Sequence, residues 1–174
     1  MGIFDSIKSK FRRTPKWPSL SLKTIRRRAR LLVIDDTEFA YIPLLREDGY
    51  TVTKWNDVQD LTKLEEHEYD IILLDIHGVA EDRASEGGLG LLKHLKTVAP
   101  AQIVVAYSAA DFSLKFKSFF DQADAALEKG ADYVKFKEVI DRLLKRRFSL
   151  QFYLDRIEQI AGSHQTDSAQ LREK

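Results

Sequence analysis

The sequence predicts an α/β fold built on a parallel sheet, and two observations favour it. From residue 31 onward, short apolar runs alternate with segments whose apolar residues recur every three or four positions, as in consecutive βαβ units. Three of the short runs are apolar throughout, as strands covered by helices on both faces must be. The 174 residues, 44% of them hydrophobic, are enough for one domain with extensions.

Each element is predicted from its local pattern. The predicted strands are residues 31–34, 50–54, 71–75, 102–107 and 133–136, and the predicted helices between them are 38–48, 57–68, 88–98 and 117–129. The second strand is the more polar one and should lie at an edge of the sheet. Helical spacing then continues from residue 137 to 160, so the last helix should be extended, with 149–161 as its continuation. The polar tail, 162–174, is expected to be disordered.

The charge of the chain is unevenly distributed. Residues 1–30 carry ten basic side chains against one acid, Asp5, so this segment holds +9 and the remainder −8 within a net charge of +1. We therefore predict a basic extension, residues 1–29, that contacts phosphates, an anionic membrane surface or an acidic partner. The alternative is that the extension folds back onto its own acidic body.

The first residues have an amphipathic pattern. Ile3, Phe4, Ile7 and Phe11 share one helical face, which is typical of a short helix at a membrane interface. An anionic membrane is therefore one expected partner, and nucleic acid is the less favoured one because no DNA-binding motif follows.

The chain has no cysteine, no secretory signal and no apolar stretch of roughly 18 residues. We expect a cytoplasmic protein, at most peripheral to the membrane.

Polar residues close four of the predicted strands. Asp35 and Asp36 close the first, Asp75 the third and Ser108 the fourth, and a lysine closes the fifth. Ligands of open parallel sheets bind outside the carboxyl ends of the strands, so these side chains should meet there. Carboxylates that converge without an interleaved base repel one another unless a hard cation lies between them. Mg²⁺ suits such oxygen ligands and is the predicted cofactor.

Four motifs resemble one protein family. The segments "VIDD", "YDIILLDI", "VVAYSA" and "GADYVKFK" occur in this order within residues 30–148 and resemble the receiver domain (CheY-like) of two-component response regulators. The resemblance implies a flavodoxin-like, doubly wound sheet of five strands in the order 2-1-3-4-5. It also implies a phosphorylation-dependent signalling switch in a phosphorelay rather than an enzyme in its own right.

The resemblance implies roles for the metal and phosphate ligands. Asp75 would be the phosphoacceptor, a carboxylate nucleophile that forms an aspartyl phosphate. Asp36 would bind Mg²⁺ directly and Asp35 largely through water, and the backbone carbonyl of His77 would complete the protein ligands. Ser108 would donate a hydrogen bond to a phosphoryl oxygen.

The resemblance also implies a lysine at the end of strand five that pairs with Asp75 or its phosphate. Counted from "GAD" without a gap, the usual family spacing reaches Lys137. If two residues of that spacing are deleted in this chain, it reaches Lys135. Both project to the same side of an extended strand, so both remain open.

The resemblance implies several partners. A histidine kinase or phosphotransfer protein would supply the phosphoryl group, and a downstream protein would bind the face formed by strands four and five. Independently of the resemblance, the last helix is longer than one sheet face requires, so its distal half is expected to pack on the basic extension or on a second copy of the chain, as a homodimer. The segment after Ser108 carries aromatic residues that would lie on this output face: Phe112, Phe116, Phe119 and Phe120.

The sequence departs from the family pattern in its loops. Val79 and Glu138 stand where prolines are common, and the loop 76–88 is long and acidic. These departures favour an alternative, a pseudo-receiver that acts as an interaction module without phosphorylation, tethered to a membrane or nucleic acid by its basic extension. A haloacid dehalogenase-type phosphatase is disfavoured, because it needs an acid where His77 stands.

Overall fold

The computed structural model describes residues 20–108, 121–155 and 157, and within them the chain forms a five-stranded parallel sheet. The strand order is β2-β1-β3-β4-β5, which confirms the predicted doubly wound, flavodoxin-like fold. In chain order the elements are α1 (Leu22–Arg28), β1 (Arg30–Ile34), α2 (Ile42–Glu47), β2 (Thr51–Trp55), α3 (Leu61–Glu65), β3 (Ile71–Asp75), α4 (Gly88–Val98), β4 (Ile103–Ser108), β5 (Ala125–Glu128) and α5 (Tyr133–Arg147).

The inner strands are the most apolar ones. Every residue of β3 and β4 is buried, and in β1 the first residue alone is exposed. The more polar β2 lies at an edge, as predicted. On one face of the sheet, inner-strand side chains pack against α4 in an apolar cluster that includes Ile34, Leu74, Leu91 and Leu95. Burial of these side chains is the main favourable contribution to folding.

The register of the sheet brings the carboxyl ends of the strands level with one another. Ile34 pairs with Leu74, so the residues that follow them, Asp35 and Asp75, lie side by side on neighbouring strands. Asp75 in turn pairs with Tyr107. The site predicted at the strand ends is therefore assembled by the backbone pairing of β1, β3 and β4.

The predicted fifth strand, 133–136, is wrong, because these residues begin α5. The strand at this position is Ala125–Glu128, which was predicted as the end of a helix. Asp132 precedes α5, and its Oδ1 accepts a hydrogen bond from the backbone N of Lys135 at 2.9 Å, an N-cap contact. A four-residue apolar run fits a strand or a helix equally well. Here the N-cap and the buried face of the helix stabilise the helical conformation.

The last helix is shorter than predicted. It ends at Arg147, and residues 150–155 are helical after a break at 148–149. The Ser149 hydroxyl accepts a hydrogen bond from the backbone N of Phe152 at 3.3 Å, as a residue that caps a new helix does. The continuous helix predicted through 149–161 is therefore interrupted in its described part.

The compact unit that carries the sheet spans Leu22–Arg147, so it begins before the predicted domain boundary at residue 30. Residues 22–28, predicted as part of the basic extension, form α1. Ile25 is buried, and Arg26 forms an ion pair with Asp141 of α5. The basic character of this segment had indicated an extension, whereas part of it belongs to the folded unit.

Several predictions fall on residues outside the described ranges. They concern the amphipathic start of the chain, the phenylalanine-rich segment after Ser108 and the polar tail. Among the described residues, the helices are too short and too polar for any of them to cross a membrane.

Candidate functional site

Three aspartates meet at the carboxyl edge of the sheet. Asp35, Asp36 and Asp75 each offer one carboxylate oxygen, and these oxygens lie within 4.8 Å of one another. Asp35 and Asp75 are buried, with 1% and 3% of their surface exposed, whereas Asp36 is exposed. The arrangement is therefore a concentration of negative charge with one side open to solvent.

Lys129 provides the positive charge of this cluster. Its Nζ lies 2.6 Å from Asp75 Oδ2 and 3.0 Å from Asp35 Oδ1, so one ammonium group bridges two buried carboxylates. Lys129 directly follows β5, and its backbone N donates to the carbonyl of Ser108 at 2.9 Å. The pairing of β5 with β4 thus delivers the lysine to the acidic cluster.

The surroundings of Lys129 keep it charged. Burial lowers the pKa of Lys129, but hydrogen bonds to Asp75 and Asp35 outweigh burial, and the pKa lies above its ordinary value. The Nζ also lies 5.6 Å from the centre of the Tyr107 ring, within the range of a cation–π interaction. Burial, and then the charge of Asp35, raises the pKa of Tyr107 to about 12, so its hydroxyl is neutral near pH 7.

The predicted lysines lie elsewhere. Lys137 lies on α5 and pairs with Asp48 at 2.7 Å, and Lys135 lies in the first turn of the same helix. The prediction of Lys137 or Lys135 as the partner of Asp75 is therefore wrong, because the strand it assumed is helical. Lys129 was missed because "AALEK" resembles the end of a helix. The signal that could have corrected the prediction is Asp132. It is a good N-cap residue three positions before Lys135, so it indicates that a helix, and not the fifth strand, begins after it.

Asp35 is held by its own turn. Its Oδ1 accepts hydrogen bonds from the backbone N of Thr37 at 2.8 Å and from the Thr37 hydroxyl at 2.6 Å. The Nζ of Lys54 donates to the backbone carbonyl of Asp35 at 2.9 Å. Thr37 was not among the predicted site residues, yet with Lys129 it determines how Asp35 is oriented.

Ser108 and His77 lie at the same edge. Ser108 is fully buried at the end of β4, next to Tyr107, which pairs with Asp75. His77 has an exposed side chain, and its backbone N donates to Asp75 Oδ1 at 3.3 Å. This contact orients the carboxylate.

The Asp36 carboxylate lies against Gly78. Gly78 has φ +75°, and a Cβ added there would overlap the Asp36 carboxylate. The left-handed backbone disfavours larger residues here, and a Cβ would also displace the Asp36 carboxylate. The loop after β3 thus forms one wall of the acidic cluster.

The rest of the long acidic loop is anchored away from the carboxylates. The backbone N of Ala80, at φ +56°, donates to Asp57 Oδ1 at 2.6 Å, and Glu86 forms an ion pair with Lys93 of α4. A cleft of about 360 Å³ lies beside the loop. It is lined by Ile76, His77, Glu81, Ala84, Ser85, Glu86 and Gly87.

The donor set fits a hard divalent cation. Three carboxylate oxygens from Asp35, Asp36 and Asp75 lie close enough to share one ion, and Mg²⁺ prefers such ligands. Among the residues that the structure describes, the cluster contains no histidine or cysteine ligand of the kind that softer metals take. The backbone carbonyl of His77 lies in the same loop as Gly78 and would be a further oxygen ligand.

Comparisons with known proteins identify the fold of the chain. No protein-family model matches the sequence, and no curated protein matches it either. Solved structures do match. A CheY-like response regulator receiver domain protein from Methanospirillum hungatei JF-1 is 23% identical with a TM-score of 0.56, over 68% of this chain and 95% of that one.

Further receiver domains give the same result. The receiver domain of NtrX from Brucella abortus is 24% identical with a TM-score of 0.56, over 66% of this chain and 98% of that one. The receiver domain of a LuxO repressor protein from Vibrio parahaemolyticus is 17% identical with the same TM-score. This chain spans 29% of the longer NtrX chain. It therefore has the fold of response regulator receiver domains.

Proposed function

We propose that this chain is a phosphorylation-dependent signalling switch in which Asp75 accepts a phosphoryl group in an Mg²⁺-dependent reaction. The observation that carries the proposal is the position of the Asp75 carboxylate, which lies between two further carboxylates and the ammonium group of Lys129. The receiver-domain fold supports the same function, since this edge of the sheet is where open α/β sheets bind ligands.

In the proposed reaction, a carboxylate oxygen of Asp75 attacks the phosphorus of a phosphohistidine or an acyl phosphate. The bond from phosphorus to the leaving nitrogen or oxygen breaks, and the leaving group keeps its electron pair. Bound Mg²⁺ would neutralise charge on the phosphoryl oxygens. Asp35 and Asp36 would hold the cation, with the His77 carbonyl completing the set.

Lys129 and Ser108 would act on the phosphoryl group. Lys129 remains an ammonium because its pKa is raised, and it would pair with the phosphate as it pairs with Asp75 at 2.6 Å. Ser108 closes the neighbouring strand and would donate a hydrogen bond to a phosphoryl oxygen. A fixed ammonium and hydroxyl cost little reorganisation during the transfer.

The proposed partners follow from this chemistry. A histidine kinase or phosphotransfer protein would supply the phosphoryl group in the cytoplasm. Output would depend on binding of a downstream protein at the β4–β5 face or on self-association. Contact of the basic extension with an anionic membrane would localise the switch.

The proposal is tested by phosphorylation in vitro. The full chain is incubated with Mg²⁺ and acetyl phosphate and its intact mass is measured. We expect a labile phosphoryl adduct that requires Mg²⁺ and is lost in Asp75→Asn. Asp82→Asn is the matched control, because Asp82 is an exposed aspartate of the adjacent loop, and this variant should retain the adduct.

Two results would contradict the proposal. One is an adduct that forms equally well in Asp75→Asn, which would assign the modification to another residue. The other is no adduct together with no detectable Mg²⁺ binding. The latter result would leave the pseudo-receiver, an interaction module that uses the same fold without phosphorylation.

A further inference from the structure

We propose that the end of the sheet opposite the carboxylates is a binding surface for anionic phospholipid headgroups. This surface, called here the basic pole, lies where α1 and α5 end. It consists of Arg27, Arg28, Arg30, Lys145, Arg146 and Arg147. The inference is independent of the proposed phosphoacceptor, because it uses none of the residues of that site.

Contacts to Asp70 and Asp141 show that both helices end at the same pole. Asp70 Oδ2 accepts from the backbone N of Arg30 at 2.9 Å, and Asp70 Oδ1 lies 3.7 Å from Nε of Arg147. Arg26 precedes Arg30 and Asp141 precedes Arg147, and Arg26 pairs with Asp141. The pair of earlier residues and the pair of later residues are thus each in proximity, so α1 and α5 run in the same direction. Their last turns therefore converge.

The basic pole carries more positive charge than its surroundings balance. Arg27, Arg28 and Lys145 are exposed, and among the described residues no ion pair involves them. The carboxyl end of a helix is equivalent to roughly half a negative charge, so the two helix ends do not balance the charges of Arg27, Arg28 and Lys145. The surplus is therefore available to an anionic partner.

Acidic residues near the pole lie on the Arg30 side. The carbonyl of His67 accepts from Nη2 of Arg30 at 3.5 Å, and exposed glutamates flank His67 in the chain. One of them, Glu68, pairs with Lys63. These groups contact Arg30, Arg147 and Lys63, whereas the ion pairs of the described residues do not include Arg27, Arg28 or Lys145.

Exposed apolar residues that follow the pole in the chain favour a bilayer over nucleic acid. Leu150, Tyr153 and Ile157 are 42%, 47% and 54% exposed, and their spacing of three and four residues places them on one side of a helix. Aliphatic side chains gain free energy at the boundary of headgroups and acyl chains, whereas a sugar–phosphate backbone offers them little. The sequence of residues 1–13 combines basic and apolar residues in the same way.

The inference is tested by co-sedimentation of the full chain with vesicles. We expect binding to mixed phosphatidylcholine and phosphatidylglycerol vesicles, and little binding to pure phosphatidylcholine. The triple variant Arg27→Gln/Arg28→Gln/Lys145→Gln should bind roughly 100-fold more weakly, because each basic residue near an anionic surface strengthens binding by about fivefold. All three side chains are exposed, so the variant should fold, which far-ultraviolet circular dichroism would verify.

A matched triple variant controls for net charge. Arg83→Gln/Lys93→Gln/Lys135→Gln removes three exposed bases from other parts of the unit and should retain vesicle binding. Equal losses in both triple variants, or no loss in the first, would overturn the assignment of the basic pole. Tighter binding to a short DNA duplex than to the vesicles at the same salt concentration would overturn the lipid as its partner.

Discussion

Two polar clusters of the Leu22–Arg147 unit differ in their balance of charge. In the carboxylate cluster Asp35, Asp36 and Asp75 meet, and among the described residues Lys129 is the base that pairs with carboxylates of this cluster. In a second cluster between α1, α2 and α5, called here the helix network, two acids meet two bases and two tyrosine hydroxyls. Its members are Arg26, Asp48, Tyr50, Tyr133, Lys137 and Asp141.

The helix network is saturated by its own partners. Asp141 accepts from Arg26 and from the hydroxyl of Tyr50, and Asp48 accepts from Tyr133 and Lys137. The hydrogen bond from Lys137, and then that from Tyr133, lowers the pKa of Asp48. A balanced network needs no further ion, so we interpret it as structural.

The carboxylate cluster, in contrast, has an excess of negative charge. Among the described residues, its three carboxylates pair with one ammonium, that of Lys129, while Lys54 contacts the backbone carbonyl of Asp35 and not a carboxylate of the cluster. Charge of one sign that is withdrawn from water costs free energy unless it is compensated, and a bound cation compensates it. The comparison teaches that an excess of acid calls for a compensating cation, whereas balanced charge is what a structural network needs.

The largest effect is expected from removing the lysine of the unbalanced cluster. Lys129→Met should slow formation of the phosphoryl adduct roughly 100-fold or more, because a fixed donor to the reacting group is lost. Thermal stability should fall without Mg²⁺ and recover when Mg²⁺ is added. The measurements are the rate of adduct formation by intact mass and thermal unfolding with and without Mg²⁺.

Lys137→Met is the matched control for Lys129. Lys137 and Asp48 are about a quarter and a third exposed, so loss of their pair should cost about 1 kcal/mol or less. The rate of adduct formation should not change. A larger effect of Lys137→Met than of Lys129→Met on that rate would contradict the distinction between the clusters.

The next effect concerns the stability of the helix network. Asp141→Ala leaves Arg26 and Tyr50 without their shared acceptor and should lower the free energy of unfolding by about 3 kcal/mol. Mg²⁺ binding should be unchanged, because the strands of the site are not involved. Urea unfolding measures the change, and Glu138→Ala, at an exposed position of the same helix, is the control. A loss of Mg²⁺ affinity in Asp141→Ala would show that the clusters are coupled.

A smaller effect is expected at the wall of the carboxylate cluster. Gly78→Ala should reduce Mg²⁺ affinity roughly tenfold, because the new Cβ displaces the Asp36 carboxylate. Gly49→Ala shares the positive φ but has open space around it, so it should cost stability and leave Mg²⁺ affinity unchanged. Equal Mg²⁺ affinities for the two variants, by calorimetric titration, would show that Asp36 does not bind the ion.

The smallest effect is a pH dependence at Tyr107. Its pKa is raised from 10 to about 12, so the stability that its neutral form contributes is complete below pH 10 and is lost as the pH rises toward 12. Tyr107→Phe should make the decline of stability over this interval shallower. Urea unfolding at several alkaline pH values measures it, with Tyr69→Phe, at a residue packed on Trp55, as the control. An unchanged decline in Tyr107→Phe would contradict the assignment.

Much of this molecule was determined by the sequence alone. Uninterrupted apolar runs become the inner strands because a strand covered on both faces must be apolar, and α4 spans 88–98 as its spacing predicts. Asp35, Asp36 and Asp75 could be grouped in advance, since parallel strands bring their carboxyl ends to one edge. These features depend on local pattern and on the geometry of a parallel sheet.

The tertiary structure alone decided which lysine joins the carboxylates and where the folded unit begins. "AALE" is too short and too weakly apolar to be recognised as a strand, and it becomes β5 because β4 offers a free edge beside it. Lys129 then reaches Asp75, whereas Lys137, which lies on α5, pairs with Asp48. Residues 22–28 form α1 for a similar reason, since the partly buried pair of Arg26 with Asp141 joins segments 115 residues apart. Contacts so distant in the chain leave no local pattern in the sequence.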